Sequence, residues 1–171
     1  MKKDTNCFKV ASWKEIVIIV VEGYATQNNS LLFKDFVDMM LWKGFRKFIV
    51  DLHLCKGMDS TFMGVLLSII NFKGKNNADG ETIKPDVILI NTNEYHMELL
   101  ECLGLSKILT IKNEKVELPS LQMKILKEES TYTLERRLKM IHKVHEYLVA
   151  LNEKNRKQFG EFLELFKQES G

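Results

Sequence analysis

The sequence has no apolar segment long enough to cross a membrane. Its longest apolar run, Ile16–Val21, has six residues, whereas a membrane-spanning helix needs about 20. The first residues, Met1–Asn6, include two lysines, but no apolar stretch follows them, so we expect no signal peptide. These two absences favour a cytoplasmic protein that has no membrane partner.

An excess of charge of one sign is also missing. The 171 residues contain 25 Lys and Arg against 23 Asp and Glu, which gives a net charge of +2, and the two signs are interleaved along the chain. No basic stripe is present, so we expect no nucleic-acid partner. A hydrophobic content of 45% suffices for a real core, and this length predicts one domain with an appendage.

Cysteines are few and scattered. Cys7, Cys55 and Cys102 form no C-x-x-C pair, which predicts reduced thiols in a cytoplasmic protein. His142 and His145 stand three positions apart on a predicted helix and could share a metal. Two ligands without a nearby cysteine or carboxylate make a poor site. We therefore expect a solvated or interface pair and no metal.

Strand and helix patterns alternate along the first two thirds of the chain. Phe8–Trp13 predicts an edge strand, residues 15–22 a central strand, and residues 30–43 a helix that Gly44 ends. Phe48–Leu54 predicts a third strand, with one face formed by Phe48, Val50, Leu52 and Leu54. The order βαβαβ in the later part implies parallel strands with right-handed crossovers and helices packed on the sheet.

The most informative segment is Met58–Leu66, with the sequence MDSTFMGVL, where a strand gives way to an apolar helix. The spacing predicts that Asp59 or Ser60 caps this helix. The helix start favours an anion, so a phosphate on Ser60 would be tolerated there. An ordinary strand-to-helix connection with a serine cap fits the same residues.

Enzyme motifs are lacking. The chain has no glycine-rich phosphate cradle, and Ser60 is no nucleophile elbow because Met58, not glycine, stands two positions before it. We therefore expect a protein that is not an enzyme and needs no cofactor.

The segment around Ser60 resembles the signature of the STAS domain, in particular that of bacterial anti-sigma-factor antagonists. The resemblance continues through residues 86–91, 95–105 and 108–111 and covers roughly residues 8–112. It implies an α/β fold with a STAS-like mixed sheet of about five strands and helices packed on it. Phe62 departs from the pattern, since many antagonists have glycine two places after the phosphoacceptor.

The resemblance also implies a site and a function. In that family the serine after the aspartate is the phosphoacceptor, which here is Ser60, with Thr61 as the alternative. The implied protein is an anti-sigma-factor antagonist. It binds an anti-sigma factor that is also a serine kinase, phosphate on Ser60 ends the complex, and a serine phosphatase is a further partner. The expected partner-binding residues are Asp59, Ser60, Thr61, Phe62 and Met63.

A different class of function stays open. The same domain fits a STAS scaffolding or ligand-sensing interaction module that is not controlled by phosphorylation. In either case we expect a monomer or a weak dimer.

The C-terminal part predicts a helical pair. We expect a STAS domain over residues 1–115, a connector over 116–132 and a helical extension over 133–171, which resembles a D-S-T-F variant of the family. Thr133 is the predicted first cap and Asn152 the second. The predicted apolar positions are Leu134, Leu138, Ile141, His145 and Leu148 on the first helix and Phe159, Phe162, Leu163 and Phe166 on the second. We expect this pair to cover the apolar Ser60 helix, although dimerisation or partner binding is the alternative.

Overall fold

The computed structural model describes residues 7–74, 81–128 and 131–169. Met1–Asn6, for which we expect no signal peptide, lies outside these ranges. The strands are β1 (Phe8–Trp13), β2 (Ile16–Val21), β3 (Gly23–Ala25), β4 (Lys47–Asp51), β5 (Cys55–Met58), β6 (Asp86–Ile90), β7 (Thr110–Ile111) and β8 (Lys124–Ile125). The helices are α1 (Ser30–Trp42), α2 (Ser60–Ile70), α3 (Glu94–Leu103), α4 (Leu134–Leu151) and α5 (Glu153–Glu169).

The main sheet has six strands in the order β7-β6-β4-β2-β1-β8, and β3 pairs with β5 in a separate two-stranded sheet. Strands β2, β4, β6 and β7 run parallel, whereas β1 is antiparallel to both of its neighbours. The predicted α/β fold with a mixed sheet, packed helices and a C-terminal helix pair is therefore confirmed.

Two expectations about strands were wrong. β1 is not an edge strand, because β8 pairs with it. In this pairing Lys9 of β1 lies opposite Ile125 of β8, a strand within the expected connector. The strand expected over Phe48–Leu54 ends at Asp51, whose Oδ1 accepts a hydrogen bond from the backbone N–H of His53 at 2.9 Å. This turn leaves Leu54 47% exposed, so Leu54 does not share the buried face of β4.

The C-terminal helices fold back onto the domain. Helix α4 packs against α2, and α5 packs against α4. The predicted caps are confirmed, since Thr133 Oγ1 accepts from the backbone N–H of Arg136 and Asn152 Oδ1 accepts from that of Asn155. The expectation that the extension covers the Ser60 helix is confirmed for α4, whereas α5 packs on the α4 helix.

The predicted apolar face of α4 was wrong in its first half. Leu134 and Leu138 are exposed, and the buried positions are Met140, Val144, His145 and Leu148. The contact with α2 follows the four-residue spacing of Met140, Val144 and Leu148, which lie on one ridge of the helix. On α5, Leu163 is buried and Phe159 packs against the core, whereas Phe162 stays 39% exposed.

Gly64 allows α2 and α4 to approach closely. A Cβ at this position would lie 2.9 Å from Val144 Cβ and 3.0 Å from the Val144 carbonyl oxygen. Alanine gains about 1 kcal/mol of helix propensity, but overpacking costs about 1–3 kcal/mol, and the backbone oxygen cannot swing aside. We expect Gly64→Ala to lower the free energy of unfolding in urea titrations.

Gly160 on α5 supplies the matched control, because a Cβ there meets nothing within 4 Å. Gly160→Ala should gain stability through helix propensity alone. If Gly64→Ala is stabilised as much as Gly160→Ala, the close approach of the two helices is contradicted.

Candidate functional site

Ser60 is the first residue of α2, directly after the capping residue. Of the two predicted caps, the structure selects Asp59, whose Oδ1 accepts from the backbone N–H of Phe62 at 2.9 Å. Its Oδ2 accepts from the backbone N–H of Gln27 at 2.7 Å. Because Asp59 caps the helix, the hydroxyl of Ser60 is left to bind another group.

That group is a histidine from the C-terminal extension. Ser60 Oγ lies 3.0 Å from Nε2 of His145 on α4, and Nδ1 of the same ring lies 2.7 Å from the carbonyl oxygen of Ile141. A carbonyl only accepts, so Nδ1 carries the proton, and in the neutral ring Nε2 is the acceptor. The Ser60 hydroxyl therefore donates to His145.

The surroundings keep His145 neutral. Its ring is edge-to-face with Phe159 and Phe162, at centroid distances of 5.1 and 5.4 Å. Burial lowers the pKa of His145 and outweighs the Ile141 carbonyl and the charge of Asp59, which raise it. The imidazole thus serves as a hydrogen-bond acceptor near neutral pH.

The expected partner-binding residues differ in accessibility. Asp59 and Ser60 are half-buried, whereas Thr61, Phe62 and Met63 are buried. Phe62 lies in a ring cluster with Phe8 and Phe33, at centroid distances of 6.0 and 5.0 Å. In this conformation only Asp59 and Ser60 offer side-chain surface at the start of α2, and partner binding by the five residues stays a prediction.

The two histidines of α4 have separate partners. Nδ1 of His142 lies 3.5 Å from Glu146 Oε1, and its ring packs 5.0 Å from that of Phe166, whereas His145 faces Ser60. The sequence predicts that these histidines are either solvated or at an interface, and His145 lies at the interface between α4 and α2. Within the described ranges, no group of three or more His, Cys, Asp or Glu side chains is arranged to hold a metal ion.

The three cysteines differ in burial. Cys7 and Cys55 are buried and Cys102 is exposed, and burial raises the pKa of Cys55. Across the part of the chain that the structure describes, no helix combines the length and apolar character that a bilayer crossing requires.

No protein-family model and no curated protein matches the chain. Among solved structures, TM1081 of Thermotoga maritima, described as an anti-sigma factor antagonist, is 25% identical with a TM-score of 0.51, over 61% of this chain and 84% of that chain. SpoIIAA, an anti-sigma factor antagonist in its unphosphorylated form, is 14% identical with a TM-score of 0.50, over 63% of this chain and 89% of its own.

A third similar structure is an anti-sigma factor antagonist from Mycobacterium paratuberculosis. It is 12% identical with a TM-score of 0.50, over 63% of this chain and 85% of that chain. The chain therefore has the STAS-like fold of anti-sigma factor antagonists over about 60% of its length, with extra C-terminal helices. The resemblance stated from the sequence is confirmed at this level.

Proposed function

We propose that this protein is a phosphorylation-controlled interaction switch of the anti-sigma-factor-antagonist type. With Ser60 unphosphorylated, it binds an anti-sigma factor that is also a serine kinase; phosphate on Ser60 ends the complex, and a serine phosphatase restores it. The observation that carries the proposal is that the half-buried Ser60 stands at the start of α2, directly after its Asp59 cap, within a STAS-like fold.

The helix start suits a serine that gains and loses phosphate. A phosphoserine adds about −1.5 to −2 charges, and the positive end of the α2 dipole stabilises an anion there. Because both oxygens of Asp59 already accept backbone hydrogen bonds, this carboxylate need not rearrange. The change in charge can therefore control a partner without refolding the domain.

One observation favours a second candidate, a STAS scaffolding or ligand-sensing module that is not controlled by phosphorylation. The hydrogen bond from Ser60 to the buried His145 ties α2 to the extension, so the serine would have a structural role. The two candidates differ in whether a kinase modifies Ser60.

Mass spectrometry separates them. The full chain is incubated with ATP and, one at a time, the purified anti-sigma kinases of its own organism, followed by intact-mass measurement and peptide mapping. We expect one phosphate per chain, on Ser60, and none on Ser60→Ala. Ser68→Ala serves as the matched control on the same helix and should be labelled normally, as should Thr61→Val. Phosphate elsewhere with Ser60 bare ends the assignment of Ser60 as the phosphoacceptor, and no phosphate with any kinase favours the scaffolding candidate.

A further inference from the structure

The side chain that contacts the Ser60 hydroxyl belongs to the extra helix pair. His145 of α4 lies with Nε2 3.0 Å from Oγ, and the bond from Nδ1 to the Ile141 carbonyl fixes the plane of the ring. Ser60 itself is half-buried, so the residue is partly exposed at the start of α2. An oxygen of a phosphate on Ser60 would compete for the position in which Oγ now meets His145.

Three elements face the imidazole of His145. The start of α2 contributes the Asp59 carboxylate, α4 contributes His142, and α5 contributes the rings of Phe159 and Phe162. The carboxylate raises the pKa of His145 and His142 lowers it, but burial has the largest effect and lowers it. The ring is therefore held neutral while Ser60 carries no phosphate.

A phosphate on Ser60 raises the pKa of His145 and so opposes the effect of burial. An opposite charge within a few ångströms shifts a pKa by about 1–3 units toward the charged form, and a phosphoserine carries up to about two negative charges. The imidazolium takes its proton from water and donates from Nε2 in a charge-assisted bond, which is roughly twice as strong as a neutral one. The two phenylalanine rings limit screening by solvent.

We propose that His145 is the receptor for a phosphate on Ser60 and that this contact fastens α4 and α5 over the start of α2. Phosphorylation then holds the extension more tightly in the position that it already occupies, so the corner that a partner would contact gains charge and opens less readily. The regulatory meaning of this contact rests on the proposed function. The contact itself depends only on the positions of Ser60 and His145.

The test uses the full chain with phosphoserine inserted at position 60 during translation, so that no kinase is involved. NMR titration of the histidine side chains should show that the pKa of His145 rises by at least about one unit relative to the unmodified chain. Amide hydrogen exchange in α4 should slow severalfold. A His145 pKa that stays unchanged, or faster exchange in α4, overturns the proposal, because the phosphate then leaves the ring or expels the helix pair.

Two variants show which histidine is responsible. His145→Gln keeps a neutral hydrogen-bonding group but cannot gain charge, so phosphoserine should no longer slow exchange in α4. His142→Gln, one turn earlier on the same helix, should leave the slowing intact; an equal loss in both variants contradicts a specific receptor. A negative result here would not affect the kinase mapping of Ser60. A negative result in that mapping would not affect the contact measured here, so each proposal can be rejected without the other.

Discussion

Truncation after Glu129, which removes residues 130–171, is expected to lower the free energy of unfolding by several kcal/mol and to promote aggregation. The extension buries Met140, Val144 and Leu148 against the domain, and each large apolar side chain contributes about 1.5–3 kcal/mol on burial. Its loss exposes the outer side of α2, which is apolar along most of its length. Urea denaturation and light scattering measure both effects.

A shorter truncation provides the control. A chain that ends after Asn152 keeps α4 and loses α5, whose buried apolar side chain is Leu163, so its loss of stability should be clearly smaller. If the chain without both helices stays soluble, monomeric and as stable as the full chain, while the full chain is a dimer in light scattering, the helices join two chains and the intramolecular cover is contradicted.

The second large effect is expected from Ser60→Asp. A partner that covers this corner must desolvate two adjacent carboxylates, Asp59 and the new one, which costs about 2–5 kcal/mol. Binding of the anti-sigma kinase should weaken roughly thirtyfold to several-thousandfold. The fold should persist, because a carboxylate is favourable at the start of α2 and lies beside His145. Calorimetric titration measures the loss of kinase binding, and circular dichroism and the melting temperature show whether the fold persists.

Ser60→Asn is the matched control, since it has nearly the same shape as Ser60→Asp and no charge. It should weaken binding far less than the aspartate does. Equal weakening by both variants would assign the effect to shape and not to charge. If Ser60→Asp unfolds the protein, the hydroxyl is a structural link to His145, and the switch reading fails.

Local signals in the sequence were sufficient to predict where the helices begin. The boundaries of α2, α4 and α5 follow from the caps Asp59, Thr133 and Asn152, each of which satisfies backbone N–H groups within its own helix start. Such bonds depend on residues three positions apart and are therefore readable from the chain. The α/β class followed in the same way from alternating strand and helix patterns.

The features that were missed depend on distant contacts. Strands β5 and β8 are four and two residues long, and neither Cys55–Met58 nor Lys124–Ile125 has enough positions to show a period of two. Their partners β3 and β1 determine them. Leu54 was assigned to the buried face because the turn at Asp51 has no signal in the apolar pattern.

The contact between Ser60 and His145 could be predicted only in part. Both residues were singled out, one as a phosphoacceptor and the other on a helix expected to cover α2. They are 85 positions apart, and their pairing depends on the closeness of α2 and α4 at Gly64. A glycine in an otherwise apolar helix was the available signal, since it marks a possible close approach of another backbone.

The central claim is that phosphate on Ser60 controls binding to an anti-sigma serine kinase. The most direct measurement is the dissociation constant of that kinase for the unmodified full chain and for the chain with phosphoserine at position 60, titrated side by side at one salt concentration. The account predicts tight binding of the unmodified chain and a loss of at least about thirtyfold with phosphoserine. Equal affinities for the two forms would contradict it.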